Sequence, residues 1–467
     1  MGEIWAVILA AGEGKRMLSR LPKVLHPLCG RPMLSYIAGS AAAVAGERVI
    51  IVTGRGSQKV RKAMGPRWKY AFQEEQLGTG HALMQAMPLL PEEGSLLVLC
   101  GDTPLLEKGH LEQLLLDHRG NAATVMTTEL ADPFGYGRVV RDCSGGLLGI
   151  VEESDASEGQ KKIREINSGT YCFDIKQLQL FLPRLSSANV QQEYYLPDIF
   201  TLIREQALPT GICTVGEWQV ALGINDRRQL AVASEIMRER INASLMLQGV
   251  TMIDPSSVYI DYDVQIGPDT VIMPQTLIQG RTVIGSGCCI GPVAQIIDAE
   301  IGDGVSFRQS VIEESVIKNE ARVGPFAYIR PGCTIGPKVK IGDFVEVKNA
   351  QIDSEAKVPH LSYVGDADIG SGANLGAGVL VVNYDGRKKH RTSIGRGAFI
   401  GCNSNLVSPL DVGAGAFVAA GSTLTRNVPP GALAITRTEQ KNLPGAAERL
   451  LDKAPQQQEK GGAKENG

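Results

Sequence analysis

The chain has 467 residues, 43% hydrophobic and 21% charged, the proportions of a soluble globular protein long enough for two or three domains with cores of their own. No run approaches the roughly 18 to 20 apolar residues of a membrane span, and Met1 to Leu9 shows neither a basic leader nor a cleavage signal, so a cytoplasmic protein with no membrane partner is expected. A net charge of −3 with scattered lysines and arginines excludes the footprint of a nucleic-acid binder, and nine cysteines without a CxxC pair indicate neither a zinc site nor a disulfide framework.

From Ile4 to about Arg228 short apolar runs alternate with helical stretches. Ala6–Leu9, Val49–Val52, Leu96–Leu99 and Ala123–Met126 are predicted buried strands of an α/β domain with a mostly parallel sheet. Such sheets bind ligands at the carboxyl ends of their strands. The loop Leu9-Ala-Ala-Gly-Glu-Gly-Lys-Arg-Met17 follows the first of these runs directly, and Gly12 and Gly14 let backbone N–H groups close around a phosphate. It has neither the Walker spacing nor GxGxxG.

Asp226 to about Gly249 contains no Gly or Pro before Gly249, and Leu230, Ile236, Ile241 and Leu245 are expected to share one side of a spacer helix. Beyond it an aliphatic residue returns every six positions, at Val323, Ile329, Ile335, Ile341 and Val347 and again at Ile394, Ile400, Leu406, Val412, Val418 and Leu424. Three hexapeptides make one triangular coil of a parallel β-helix, with the aliphatic residue pointing inward. The count slips by one near Ile352 and Ile369, and Asn383 to Ser393 interrupts it, which predicts a loop leaving the prism. The polar, aperiodic tail from about Leu451 is expected to be disordered.

Four segments carry a resemblance: the opening loop, Leu21-Pro-Lys-Val-Leu25, Gln73-Glu-Glu-Gln-Leu-Gly-Thr-Gly-His81 and Leu99-Cys-Gly-Asp-Thr-Pro104. Together they resemble bacterial bifunctional N-acetylglucosamine-1-phosphate uridyltransferase and glucosamine-1-phosphate acetyltransferase, and the likeness covers nearly the whole chain except the tail. It implies a Rossmann-like nucleotidyltransferase domain at 1–228, a linker helix at 229–249, a left-handed parallel β-helix at 250–450 and a tail at 451–467. On that resemblance Leu9, Ala10, Ala11 and Gly12 contact the uridine and its phosphates, Lys23 neutralises the triphosphate, and Gln73, Gly78 and Thr79 hold the uracil. Gly137, Glu152 and Asn167 hold the sugar. Asp102 and Asn225 supply oxygen ligands to Mg2+, a hard cation that keeps several waters; Asn225 also counts among the nucleotide contacts.

In the repeats, Arg330-Pro-Gly332, Glu346-Val-Lys348, His360-Leu-Ser-Tyr363, Asn374-Leu-Gly-Ala377 and Asn383-Tyr-Asp-Gly386 resemble the acetyltransferase motifs of the same family in the same order. The resemblance makes His360 the general base, with Glu346 orienting it; an imidazole suits the task because its ordinary pKa lies near working pH. Arg330 and Lys348 would grip the sugar phosphate, and Tyr363, Asn374, Asn383 and Tyr384 would position the sugar. Ala377, Cys402, Ala420 and Arg437 fall where the family contacts coenzyme A, with Asn383 and Tyr384 counted there too. Two departures stand out: Cys100 where relatives commonly carry Tyr, and Cys402 where Ser is common.

The implied substrates are UTP, N-acetylglucosamine 1-phosphate, glucosamine 1-phosphate and acetyl-CoA, and the implied assembly is a homotrimer. Two other readings make different demands on these residues. A single-function nucleotidyltransferase with a structural prism predicts no base in the repeats, and a non-catalytic assembly subunit predicts decay of Lys23, Asp102 and Asn225, all of which are present.

Overall fold

Ile4–Ala10 lies in the interior of a sheet because both of its faces can be buried. Val7 joins Ile50, Val52, Leu96 and Val98 on one side, while Ala6 and Ile8 join Ile51, Leu97 and Leu99 on the other. Fully burying one such aliphatic side chain is worth about 1.5 to 3 kcal/mol, so these strands hold the sheet while their ends stay free for chemistry.

The computed structural model describes residues 3–451, which divide between Glu313 and Glu314 into two compact units. In the first, the sheet runs Thr210–Thr214, Ala123–Glu129, Glu165–Asp174, Ser95–Cys100, Ile4–Ala10, Val49–Thr53, Lys69–Phe72. The four strands expected from apolar runs are all in it. Every neighbouring pair is parallel except the two made by Glu165–Asp174. A hairpin of Arg138–Arg141 and Leu147–Val151 joins that antiparallel strand through Ile166 and Arg138.

The chain leaves Ile4–Ala10 toward Val49–Thr53 on one flank and comes back to Ser95–Cys100 on the other. Connections that part in this way open a crevice at the carboxyl ends of the strands. Ala11–Gly12 and Gly101–Asp102 follow the two strand ends there, tied by a 2.9 Å hydrogen bond from the Gly101 N–H to the Leu9 carbonyl.

The spacer helix spans Arg227–Leu247. It starts where the Asp226 carboxylate accepts the N–H groups of Arg228 and Gln229 at 2.9 and 2.8 Å, a side-chain N-cap. Its buried stripe is Ala233, Met237, Ile241 and Leu245. Ile241 and Leu245 therefore lie where expected, but Leu230 and Ile236 are only half-buried. A strict four-residue step keeps one line of the helix against its neighbours, and Ala233 takes the place of a larger residue where packing is close.

The first unit also carries the opening coils of the repeats, in which Met252, Ile272, Ile290 and Phe307 stack in parallel register. In the second unit Ile317, Ile335, Ile352, Ile369, Ile394 and Val412 form one inner column. The steps from Ile335 to Ile352 and on to Ile369 are each one residue short of three hexapeptides, which accounts for the slips in the count. Between Leu380–Val382 and Thr392–Ile394 a loop leaves the coil, pinched by a bridge between Tyr384 and Lys389. A last helix spans Ala446–Leu451, and the rest of the tail expected to be disordered lies outside the described residues.

Candidate functional site

The opening loop turns on Gly14, whose φ of +63° is a left-handed conformation that a side chain strains to adopt. A Cβ at Gly14 would also come within 2.6 Å of the Lys23 Cβ, so the loop and the Lys23 stem lie in contact only because Gly14 has no side chain. Lys23 opens a short helical turn, Lys23–Leu25, whose Val24 and Leu25 are buried. That anchors the lysine stem and sends its ammonium toward the strand ends.

There the Lys23 Nζ donates to the Asp102 carboxylate and, at 3.0 Å, to Asn225 Oδ1. Asp102 is held by its own carbonyl, which accepts the Ile224 N–H at 2.9 Å, and the Asn225 N–H donates to Gln229 Oε1 at 2.7 Å. Three residues far apart in sequence thus converge, with the two oxygen donors turned on a single cation. The adjoining cleft has a volume of about 530 Å³ and is lined by Gly12, Gly14, Lys15, Arg16, Lys23 and Asn225.

Gln76 lines the same cleft, and the uracil residues expected from sequence lie on either side of it. Gln73 is buried, donating from Nε2 to the Gly78 carbonyl at 3.3 Å and lying 3.0 Å from His81 Nδ1. Gly78 has φ +100° and packs so closely on Tyr194 that a Cβ would meet its carbonyl at 2.8 Å. The Thr79 hydroxyl accepts the Leu196 N–H at 3.1 Å, while the residue itself is exposed.

The three expected sugar residues form a second cluster. The Asn167 N–H donates to the Gly137 carbonyl at 2.9 Å, and a Cβ on Gly137 would stand 3.2 Å from the Glu152 carboxylate. Asn167 Nδ2 donates to the Tyr171 hydroxyl at 2.7 Å. Burial first, then the negative charges of Asp198 and Asp155, push the Glu152 carboxyl up to about 7. Arg138, almost wholly buried, braces this wall by donating to the Tyr136 carbonyl and, at 2.6 Å, to Glu153. Cys100 donates from Sγ to the Gly169 carbonyl at 3.4 Å, at the irregularity where Glu165–Asp174 shifts register, and burial pushes its thiol up to about 12.

In the second unit His360 ends the strand Lys357–His360 and pairs in register with Asp343 one coil before it. Its Nδ1 contacts the Asp343 carboxylate directly. That contact, foremost, and then the backbone hold the Asp343 carboxyl below the usual carboxylate range. Glu346, expected to orient His360, does something else: it accepts a 2.8 Å bond from Arg330. The expectation is corrected because Glu346 sits past the corner at Phe344, on the ladder that carries Tyr328 and Tyr363, whereas Asp343 shares the ladder of His360.

Arg330 and Lys348 are brought together with a residue that sequence reasoning missed. The Lys389 side chain meets Lys348 and, with Arg330, lowers its pKa by charge repulsion, the Lys389 contact being the leading cause. Lys389 lies in the loop that interrupts the repeats, where no periodicity marks it. Asn383, from the same loop, donates at 2.5 Å to the buried Asp366 and at 3.3 Å to the Tyr363 hydroxyl. Asp366 also accepts from Asn349 at 2.6 Å. Tyr384 is exposed, with its hydroxyl on the Gly386 carbonyl at 2.8 Å, and Asn374 pairs in register with Lys357 on the ladder of His360.

The residues expected at coenzyme A climb successive coils. The Asn403 N–H donates to the Ala377 carbonyl at 2.8 Å, the Gly421 N–H to the Cys402 carbonyl at 2.8 Å, and Arg437 to the Ala420 carbonyl at 2.9 Å. Cys402 is an exposed free thiol.

Residues 6–167 match the family model described as MobA-like NTP transferase domain, and residues 263–297 and 314–349 match bacterial transferase hexapeptide (six repeats). A nucleotidyltransferase sheet and hexapeptide transferase coils on one chain define a two-part transferase. The chain belongs to the bifunctional GlmU family. It is 48% identical over 460 residues to the bifunctional protein GlmU of Brevibacillus brevis, covering 98% of this chain and 100% of that one. With the proteins of the same name from Thermoanaerobacter pseudethanolicus and Caldanaerobacter subterraneus it shares 49% identity, over 96% and 97% of this chain and 98% and 99% of theirs.

Proposed function

We propose that this chain makes UDP-N-acetylglucosamine by two successive transfers: acetylation of glucosamine 1-phosphate by acetyl-CoA at His360, then uridylylation of the product by UTP at Lys23, Asp102 and Asn225. The functional parts are read as 1–228 for uridylyl transfer, 229–249 as linker and 250–450 for acetyl transfer. The protein is read as a cytoplasmic homotrimer; no helix among the described residues is long and apolar enough to cross a membrane. The stacked, exposed pairs Phe326–Phe344 and Phe399–Phe417, with centroids 5.2 and 4.7 Å apart, favour association of the prism with other copies.

The observation that carries the two-reaction reading is the His360–Asp343 pair in the same coils as three cations. Asp343 engages Nδ1 of the imidazole and leaves Nε2 to accept the proton that the substrate amine loses as it attacks the thioester carbonyl; coenzyme A departs as the thiol. Lys389 and Arg330 both bear on the Lys348 ammonium, a repulsion that a phosphate dianion among them would relieve. A structural prism has no use for this arrangement.

In uridylyl transfer a phosphate oxygen of the sugar attacks the α-phosphorus of UTP and pyrophosphate leaves. Gly12 and Gly14 let the loop approach the phosphates, Lys23 neutralises them, and Gln73 and Gly78 present polar groups to the base. Asp102 and Asn225 are hard oxygen donors already aimed at one cation, so the pair fits Mg2+ completed by water and phosphate. When bound, Mg2+ supplies charge neutralisation at the phosphates.

The test is to supply glucosamine 1-phosphate, acetyl-CoA, UTP and Mg2+ and identify products by mass, with acetyl-CoA omitted in a parallel run. Full turnover yields UDP-N-acetylglucosamine, and omission leaves the amino sugar unacetylated. Asp102→Ala is expected to abolish pyrophosphate release; retained Mg2+-dependent release would remove the metal assignment.

A further inference from the structure

The metal ligands proposed above are already engaged. The Lys23 ammonium contacts Asp102 Oδ2 and lies 3.0 Å from Asn225 Oδ1, and the Lys23 and Asp102 side chains are only 12% and 20% exposed. A divalent cation bound by the same two oxygens would lie within a few ångströms of the ammonium nitrogen, where like charges in a partly desolvated crevice repel strongly. One cation must leave for the other to enter.

Resting on the reading of Asp102 and Asn225 as metal ligands, we propose that Lys23 is a displaceable placeholder: it holds the two ligands until an incoming triphosphate draws its ammonium away, and the divalent cation enters only then. The lysine is placed to make this move. Its stem runs against the missing side chain of Gly14, so the ammonium and the phosphate loop share one cleft, and a short swing transfers the charge from carboxylate to phosphate. Lys15, which lines the same cleft, is a poor substitute. Lys15 is 86% exposed and paired with Glu13 at 3.2 Å, so it reaches neither ligand. Nucleotide and metal must then bind with positive coupling, each raising the affinity of the other by the same factor. The arrangement also keeps a carboxylate in a crevice neutralised before substrate arrives.

The experiment reads Mn2+ affinity by electron paramagnetic resonance on the full chain, with and without a non-hydrolysable UTP analogue. Without nucleotide, Lys23→Met is expected to bind Mn2+ at least about tenfold more tightly than the parent, corresponding to about 1.4 kcal/mol. Lys23→Arg, which keeps a cation, is expected to bind as weakly as the parent. With the analogue present, the advantage of Lys23→Met should vanish. Unchanged Mn2+ affinity in Lys23→Met overturns the proposal, as does an equal gain in Lys15→Met, which would show only a general effect of charge. Asp102→Asn separates this failure from failure of the underlying reading. If it weakens Mn2+ binding while Lys23→Met does nothing, the metal assignment stands and the placeholder falls; if it changes nothing, both fall.

Discussion

Asp343 meets His360 across adjacent coils through a direct carboxylate contact to Nδ1, in a register set by the backbone of the two strands. The imidazole is therefore oriented by the ladder itself, and removal of the carboxylate should disturb the base without disturbing substrate binding. Asp343→Asn is expected to lower kcat for acetyl transfer about tenfold to a hundredfold with little change in either KM, because orientation and imidazolium stabilisation act in the transition state. Uridylyl transfer by the same preparation should be unchanged, and the preserved KM values for both acetyl-transfer substrates would show that the second unit is folded.

His360→Ala goes further. Loss of the base should cost about a hundredfold to ten-thousandfold in acetyl transfer, again with uridylyl transfer intact. An acetylation rate equal to the parent's would end the assignment.

Lys389 should show itself in binding. Lys389→Met is expected to raise KM for glucosamine 1-phosphate by about tenfold, the effect of losing one charge-assisted contact to phosphate, with kcat nearly preserved. Steady-state kinetics with acetyl-CoA saturating would measure this.

Glu152 makes a prediction about pH. Its carboxyl is raised from an ordinary 4.5 to about 7 by burial. A raised carboxyl favours the folded state while it is protonated, so its contribution is full below about pH 4.5 and is lost as pH rises through about 7. Glu152→Gln cannot ionise. The variant should match the parent near pH 5 and exceed it at pH 8 by on the order of 2 kcal/mol, read from thermal melts of the first unit's transition across that range.

Gly14→Ala combines left-handed strain with a clash against the Lys23 stem. It should cost about 1 to 2 kcal/mol of local stability and raise KM for UTP, with acetyl transfer unaffected.

Much of the fold was legible because burial writes a period into the chain. The inner column from Ile317 to Val412 and the strands Ala6–Leu9 and Val49–Val52 are runs that only a buried ladder or a doubly covered sheet requires. Strand direction was not: the antiparallel Glu165–Asp174 is buried along most of its length, as the parallel strands of the sheet are, and nothing in its composition tells which way it runs. In the helix, Ala233 hides the true stripe because its small side chain weighs little in a hydrophobic pattern. The chemistry of single residues could be read at Lys23, Asp102 and His360 because each sits in a recognisable motif. Asp343 escaped notice because its partner is one short coil away, and the short coil shows only once the slip near Ile352 is understood as a register. Lys389 escaped because it belongs to the loop that breaks the count.

The register that joins Asp343 to His360 also limits how this half of the molecule can change length. Adding or removing one complete turn below the pair would lift every later rung together and leave their mutual geometry untouched. A single inserted residue within a strand would rotate all that follows, turning aliphatic side chains outward and carrying the base off its carboxylate. Within the strands growth is thus quantised: single-residue changes are taken up at the corners, as in the two short coils from Ile335 to Ile369, and longer additions leave the coil as a loop, as between Val382 and Thr392.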